Sequence, residues 1–599
     1  MIGEGEGRRF SVVGAAPSLA TSLRTLAEPN TVLIAESTRR QVGVFFELDD
    51  LGTLRSDGTP QHIWRARGAR PGLSRFEALR SGDTPLVGRE EEIALLLRRW
   101  SNAKAGDGHA VLLSGEPGVG KSRLAAALEE RLGEEPHHRL LYFCSPYHQN
   151  SALYPIIAQL ERAAGFERDD VTELKLEKLE GLLAALSSIE EDIALLADLL
   201  SLGESPRYPL LDFTPQRKKE KTFAAWLRQI EALSAQRPVL IVFEDLQWID
   251  PTSRELLDLI IERLEGWPVL LIATFRSEFQ PPWTGQPGLT AISLNPLNRR
   301  NSAMLVQGLV GAGTRLPNDV ADAIVERCDG VPLFLEELTK VILEEALKAP
   351  GGPISVPATL HASLLARLDR LGPDAKEVAQ IGAAIGRQFS FELLAASAAQ
   401  NQPKLEAAVT ALVEASLVFQ RGALQQASFL FKHALVQEAA YATLLRAQRQ
   451  HLHARIADVL LLGAGEKAAV APEIIAHHLQ SAGRSLEAIS YWRDAGERSV
   501  RRAANTEAIE HFRRVLSLLE TRPESPERWR VEVAVLSQLA PALMSVHGWS
   551  AQEAGDVAEK AADIACRLES ATELAPSIAN LWLFNSGSGR VDQAESEFG

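Results

Sequence analysis

Little in this chain is suited to redox or metal chemistry. Its 599 residues hold three cysteines, Cys144, Cys328 and Cys566, at neither disulfide nor metal-ligand spacing. That excludes a disulfide-stapled scaffold and fits a reducing, cytoplasmic setting, with all three expected as buried thiols. His477 and His478 adjoin with no third ligand near them in sequence, so no metal site is expected there. No apolar run reaches the roughly 20 residues that span a bilayer, so no membrane partner is expected. The first residues, MIGEGEGRRF, lack the apolar stretch of a secretory signal. Basic charge is also in short supply: 63 Lys and Arg face 78 Asp and Glu, a net −15 at pH 7. Chains that wrap nucleic acid show a basic footprint, so DNA is not an expected partner.

What is present divides into blocks, because a chain of this length exceeds one core. Residues 1–68 read as short strands and helices, among them VLIAES (32–37) and FFELDDLG (45–52). The stretch 65–85 is rich in Gly, Pro, Arg and Ser and reads as a linker, placed at 69–84 between domains. From there to residue 345 strands and amphipathic helices alternate. The runs HAVLLSG (109–115), RLLYFCS (139–145), PVLIVFEDL (238–246) and PVLLIATFR (268–276) are nearly all apolar. Such runs suit parallel strands covered on both faces, a doubly wound α/β domain. Asp250 and Pro251 mark a helix start as cap and first residue.

Beyond about Asn298 the pattern is mostly helical. Residues 416–433 read as two short strands around a Gly turn, so 346–465 is expected to be a winged-helix region. Residues 466–599 show helical periodicity alone. Gly496, Ala508, Phe512 and Val515 fall at the packing spacing of a tetratricopeptide unit, which predicts helical repeats. The expected fold class is multidomain, α/β plus α.

The strongest motif is GEPGVGKS, 115–122, with full G-x-x-x-x-G-K-[ST] spacing between an apolar strand and a helix. Gly115, Gly118 and Gly120 let the backbone turn its N–H groups toward phosphate oxygens, and the helix N-terminus adds its dipole. Lys121 brings a point charge, and the Ser122 hydroxyl suits Mg²⁺. Val119 and Arg123 complete the expected nucleotide-binding set. Glu244 and Asp245 close VLIVFED, giving one carboxylate for the metal (Glu244) and one for the attacking water (Asp245). Adjacent strand residues point to opposite faces, so both acids reach one site only if the strand ends there. Thr274 and Arg276 end the next strand, where a polar or cationic group can sense a γ-phosphate. Tyr147, His148, Trp248 and QRKKEK (216–221) are read as packing or solvated residues.

The segments LVGREEEI, LLSGEPGVGKSRL, FCSPYHQNSALYP, VFEDLQWIDPTSRELL, LIATFRSEF and GVPLFLEELTK resemble the AAA-type ATPase module of bacterial STAND signalling proteins. The resemblance implies ATP as ligand, with Val87 and Gly88 near the adenine and Arg276 at the nucleotide. It also implies that GVPLF (330–334) packs against the nucleotide and that His433 matches a phosphate-contacting histidine. A protein or small effector on the repeats and an ATP-dependent homo-oligomer follow from the same likeness. Residues 12–40 resemble the end of a class III nucleotide cyclase domain. Ser18 and Ser22 stand where that family has its transition-state Asn and Arg, and its metal-binding aspartates would precede Met1. Serine cannot replace the charge of arginine, so cyclase activity is not expected. The expected function is therefore an ATP-dependent, slowly hydrolysing switch. The alternatives are a cyclase making cyclic AMP and a DNA-binding regulator. The candidate recognition helix of the latter, 403–418, sets Lys404 against Glu406 and Glu414, a poor match to phosphate.

Overall fold

The computed structural model describes residues 15–69 and 86–590, apart from residues 29–30, 37, 40–45, 57–58, 134, 168–169, 185–188, 203–207, 209–212, 284, 287, 311–315, 349–359, 399, 416, 423, 464–469 and 569–570. At the N-terminus, the helix Ala15–Leu26 packs on an antiparallel sheet of β1 (Val32–Ala35), β2 (Phe46–Ser56) and β3 (Thr59–Ala69) in the order β1-β3-β2. The expected linker begins too early: residues 65–69 belong to β3, where Ala66 pairs with Val32 of β1 and Leu48 of β2. The rest of that linker lies outside the described residues, as do residues 1–14 and 591–599.

The α/β domain is built on five parallel strands. They are β4 (His109–Ser114), β5 (His138–Phe143), β6 (Val239–Glu244), β7 (Val269–Phe275) and β8 (Leu289–Ser293), in the order β5-β6-β7-β4-β8. Alternate residues feed two separate cores. Val111, Leu113, Val242 and Ile272 meet the helices Glu90–Lys104 and Lys121–Leu132 on one face. Leu112, Ile241, Phe243 and Leu271 meet Tyr154–Ala163, Pro215–Gln236 and Pro251–Glu262 on the other. Covered on both faces, β6 and β7 read as continuous apolar runs. The edge strand β8 is half exposed, carries little apolar signal and escaped the sequence reading.

A small helical subdomain follows. Arg299–Val310, Asn318–Arg327 and Pro332–Lys348 pack around Leu305, Ile324, Leu335 and Ile342. The next unit joins helices to a three-stranded antiparallel sheet. Its strands are β9 (Gln388–Ser390), β10 (Val418–Arg421) and β11 (Ser428–Phe431), in the order β10-β11-β9. β10 and β11 form the expected hairpin; β9, three residues long, was too short to stand out.

From Pro472 to Gly587 each helix packs on the next. The packing positions read from sequence are tight. Ala508, Phe512 and Val515 are fully buried, and a Cβ on Gly496 would stand 2.3 Å from the Phe512 ring. Cys144 and Cys328 are buried as expected, but Cys566 is exposed, because it lies off the apolar stripe of its helix. Phe512→Ala is expected to cost the repeat array about 3–5 kcal/mol. Denaturant unfolding followed by circular dichroism checks this.

Candidate nucleotide site

Strand order fixes where the chemistry gathers. Parallel strands put their following loops on one edge, and β7 lies between β4 and β6. The glycine loop after β4, the acids after β6 and the polar end of β7 therefore share that edge.

The loop leaves β4 at Ser114 and enters its helix at Lys121. Gly118 (φ 82°) and Gly120 (φ 103°) take left-handed backbone that a side chain would strain. A Cβ on Gly118 would also lie 3.0 Å from Leu333 Cβ, and the Leu333 N–H donates to the Gly118 carbonyl at 3.2 Å. GVPLF thus packs directly on the loop. Lys121 is 8% exposed, and its Nζ donates to the carbonyls of Gly115 (2.6 Å) and Glu116 (3.1 Å). Burial lowers its pKa; Asp245 opposes that most strongly, Arg276 adds to it, and Glu116 and Glu244 oppose it. Those four groups are consequently within electrostatic reach of the ammonium.

β6 ends on Glu244, which is 1% exposed, and Asp245 turns to φ 61°, ψ 47°. The strand stops between the two acids, so the alternation that would point them apart no longer applies. The Asp245 N–H donates to Thr274 Oγ1 at 3.2 Å, joining the acid to the end of β7. Arg276 lays its guanidinium over the Trp248 ring, 4.9 Å from the centroid, and its backbone N–H donates to Gln247 Oε1.

The unit carrying β9–β11 covers this edge. Arg387 Nη1 donates to Asp245 Oδ2 at 3.0 Å, with side chains only 9% and 18% exposed. Arg276 Nη2 pairs with Glu438 Oε1 at 3.2 Å. Tyr147 donates its hydroxyl to the Ala383 carbonyl at 3.1 Å and accepts from Gln437 Nε2. Arg387 was missed from sequence. It sits between Gly386 and a three-residue strand in no recognisable motif, and its partner is 142 residues away.

Other expected site residues fall differently. Val87 packs into the small helical subdomain, and Gly88 (φ 66°) sits against Asn301. Val119 is 1% exposed, so its side chain is core and only its backbone belongs to the loop. Arg123 turns along its own helix to Glu130 (3.0 Å), which draws its charge away from the loop. Ser122 begins the helix beside Lys121. His433 precedes Ala434–Ala442 beside Glu336. Burial raises the Glu336 pKa, but Lys432, Lys340 and His433 together bring it to about 2.

The helical repeats also dock on the α/β domain. The Thr252 N–H donates to Glu507 Oε1 at 2.8 Å, so a repeat residue caps the helix that follows the acids. Asp250 Oδ1 accepts from Ser253 and Leu153 at the same helix start. Burial, then the neighbouring Glu507 charge, pushes the Asp250 pKa up to about 7, and burial raises that of Glu507. His511 Nε2–H donates to the Asn150 carbonyl at 3.0 Å. Lys219, expected to be solvated, has a side chain 9% exposed and reaches Glu255 (2.7 Å) and the Ala503 carbonyl (3.2 Å). His453 joins His477 and His478, its Nδ1 2.8 Å from Nδ1 of His478. Among the described residues no group of three or more His, Cys, Asp or Glu is placed to hold a metal ion by itself.

Residues 85–272 match the family model of the AAA ATPase domain. An uncharacterized protein of Rhizobium meliloti (strain 1021) is 29% identical over 575 residues, covering 93% of this chain and 55% of that protein. The chain thus spans about half the length of that curated relative. Solved structures are more distant. A signal transduction ATPase with numerous domains (STAND) and a tetratricopeptide repeat sensor, from Pyrococcus horikoshii, is 14% identical with a TM-score of 0.37, covering 86% of this chain and 70% of that one. Domain III of the Thermotoga maritima replication initiation protein DnaA is 15% identical with a TM-score of 0.26, covering 50% and 97%.

The loop, the strand-end acids and the buried ammonium fit a nucleotide triphosphate with a divalent cation. Lys121→Ala removes a charged donor worth about 1.5–3 kcal/mol. ATP affinity is expected to fall roughly 10–150-fold, measured by titration calorimetry.

Proposed function

We propose that this protein is an ATP-binding, slowly hydrolysing signalling switch of the STAND type, whose helical repeats sense an effector or partner. One observation carries the reading. Asp245 and Arg276, at the nucleotide edge, are ion-paired to Arg387 and Glu438 of the next unit. A group held this way is withheld from a phosphate or a water until the units part.

In this reading the N–H groups of Gly118 to Ser122 cradle the phosphates and Lys121 holds the β and γ oxygens. Ser122 and Glu244 hold Mg²⁺, which when bound would neutralise charge developing on the transferred phosphoryl group. Asp245, once released by Arg387, orients the attacking water. Arg276, released by Glu438, turns from Trp248 to the γ-phosphate. Thr274 fixes the Asp245 backbone through both states. Val87 and Gly88, pressed against the small helical subdomain, line the adenine side. His433, within electrostatic reach of Glu336, reports closure rather than touching phosphate. The units around β9–β11 form a winged helix that braces the ATPase and does not read DNA.

Nucleotide shifts such an equilibrium only by its differential affinity for the two states. Arg387 would compete for Asp245 with the cation that accompanies the triphosphate, which supplies that difference. The N-terminal unit is cyclase-like, and Ser18 and Ser22, in place of an Asn and an Arg, do not supply the cationic stabilisation that cyclisation needs. An ATP-dependent homo-oligomer follows if parting of the units frees a face for a second copy.

Two results test this. Arg387→Gln removes a charged hydrogen bond of about 1.5–3 kcal/mol from the closed state. Single-turnover hydrolysis of ATP is expected to rise roughly tenfold or more, while a fall to Lys121→Ala levels would assign Arg387 to the chemistry itself. The second concerns pH. Asp250 titrates at about 7 when docked, against 3.8 for a free carboxyl. The Glu507 share of that rise belongs to docking, so docking takes up part of a proton and weakens as pH rises toward and through about 7. Limited proteolysis between the repeats and the ATPase is expected to quicken from pH 5.5 to 7.5. Glu507→Gln, which keeps an acceptor for Thr252 and removes the paired charge, is expected to flatten that dependence.

A further inference from the structure

The repeat array contains a cavity that the nucleotide chemistry does not use. It has a volume of about 490 Å³ and is lined by His477, Gln480, Ser481, Trp492 and Arg514. Its size falls among small-molecule sites, which run about 300–1,000 Å³. Three helices frame it: Pro472–Ser481, Ser485–Arg501 and Asn505–Glu520.

The lining is made of donors. Trp492 is 2% exposed and gives its indole N–H to Gln480 Oε1 at 2.9 Å. That fixes the Gln480 amide so that its NH₂ is the group left to donate. Arg514 lies over the Trp492 ring, 4.4 Å from the centroid, while His511 stacks on the same indole at 5.3 Å. Burial lowers the Arg514 pKa, and Glu510 opposes this without reaching ion-pair distance. Among the described residues no carboxylate forms a salt bridge with Arg514, whereas neighbouring Arg513 is bound to both Glu510 and Glu553. A partly buried guanidinium with five donors and no salt bridge among the described residues, beside an amide NH₂ and a hydroxyl, calls for an acceptor of negative charge. The Trp492 ring already has Arg514 and His511 as stacking partners, so the ligand is recognised through its oxygens.

We propose that this cavity is the effector site of the repeats and takes a small molecule bearing a carboxylate or phosphate oxyanion, held by Arg514, Gln480 and Ser481. The proposal rests on the switch reading only for its consequence. Glu507, His511 and Arg514 are spaced four and three residues apart along one helix, hence on neighbouring turns of one face. The first two are the residues that dock on Thr252 and Asn150. His477, on the cavity wall, meets Tyr147 edge-on at 5.7 Å. An oxyanion that draws Arg514 off the indole acts on the same helix face that holds the ATPase closed. Its binding and the docking equilibrium are then coupled reciprocally.

The test uses the full chain carrying Lys121→Ala, so that phosphate-bearing probes do not report the glycine loop. Citrate, glucose 6-phosphate and pyrophosphate are titrated by calorimetry, with glucose as the uncharged control. At least one anion is expected to saturate, glucose is not, and Arg514→Gln is expected to weaken binding at least tenfold. Ser481→Asp, which keeps Arg514 and adds a carboxylate that repels the anion and competes with it for the guanidinium, is expected to do the same. No saturable anion binding, or binding equal in both variants, overturns the site. The bound anion is then added to the chain with Lys121 intact, where hydrolysis is expected to change at least threefold. Anion binding that leaves hydrolysis unchanged defeats the coupling and counts against the switch, while the site itself stands.

Discussion

The ion pair between Asp245 and Arg387 is the constraint on which the arrangement turns. It joins the acid after β6 to the unit bearing β9–β11 at 3.0 Å, with both side chains largely buried. A pair so placed is costly to break on one side only, because the other charge stays desolvated. It is opened cheaply only when something else meets the charge, and a cation-bound triphosphate offers that. The left-handed backbone at Asp245 makes the pair possible. It ends the strand, rotates the carboxylate out of the sheet and is itself pinned by Thr274 Oγ1.

The repeats add a second closure of different chemistry. Where the first joins opposite charges, the second brings two acids, Asp250 and Glu507, to one helix start. Backbone N–H groups and the helix dipole favour negative charge there, but burial of two carboxyls favours a shared proton. The two closures address successive segments, Asp245 and then the helix capped by Asp250. A disturbance at either is felt within a few residues of the nucleotide edge.

How much of this was legible in the sequence depends on the range of the interaction. The glycine loop, the capped helix at Pro251 and the apolar runs of β4, β5, β6 and β7 are local patterns, and each appears where periodicity and spacing put it. The edge strand β8 and the three-residue β9 were not legible, because neither buries a continuous apolar face. The long-range contacts were beyond reach: Arg387 carries no motif, and Glu507 meets Thr252 across 255 residues. Lys219 was misread for the same reason. Its helix start looks solvated until the repeats are folded over it. Arg123 and Val119 were counted with the site because they adjoin it in sequence, yet one turns to Glu130 and the other into the core.

The central claim is that ATP parts units that are closed without it, and amide hydrogen exchange tests that most directly. With ADP and Mg²⁺ the first turns of Pro251–Glu262 and Asn505–Glu520, together with residues 386–390, are predicted to be protected. Replacing ADP with a non-hydrolysable ATP analogue in the unaltered chain is predicted to speed exchange in all three segments while β4, β6 and β7 stay protected. Identical exchange in the two nucleotides at those segments would contradict the account and leave a rigid ATP-binding scaffold in its place.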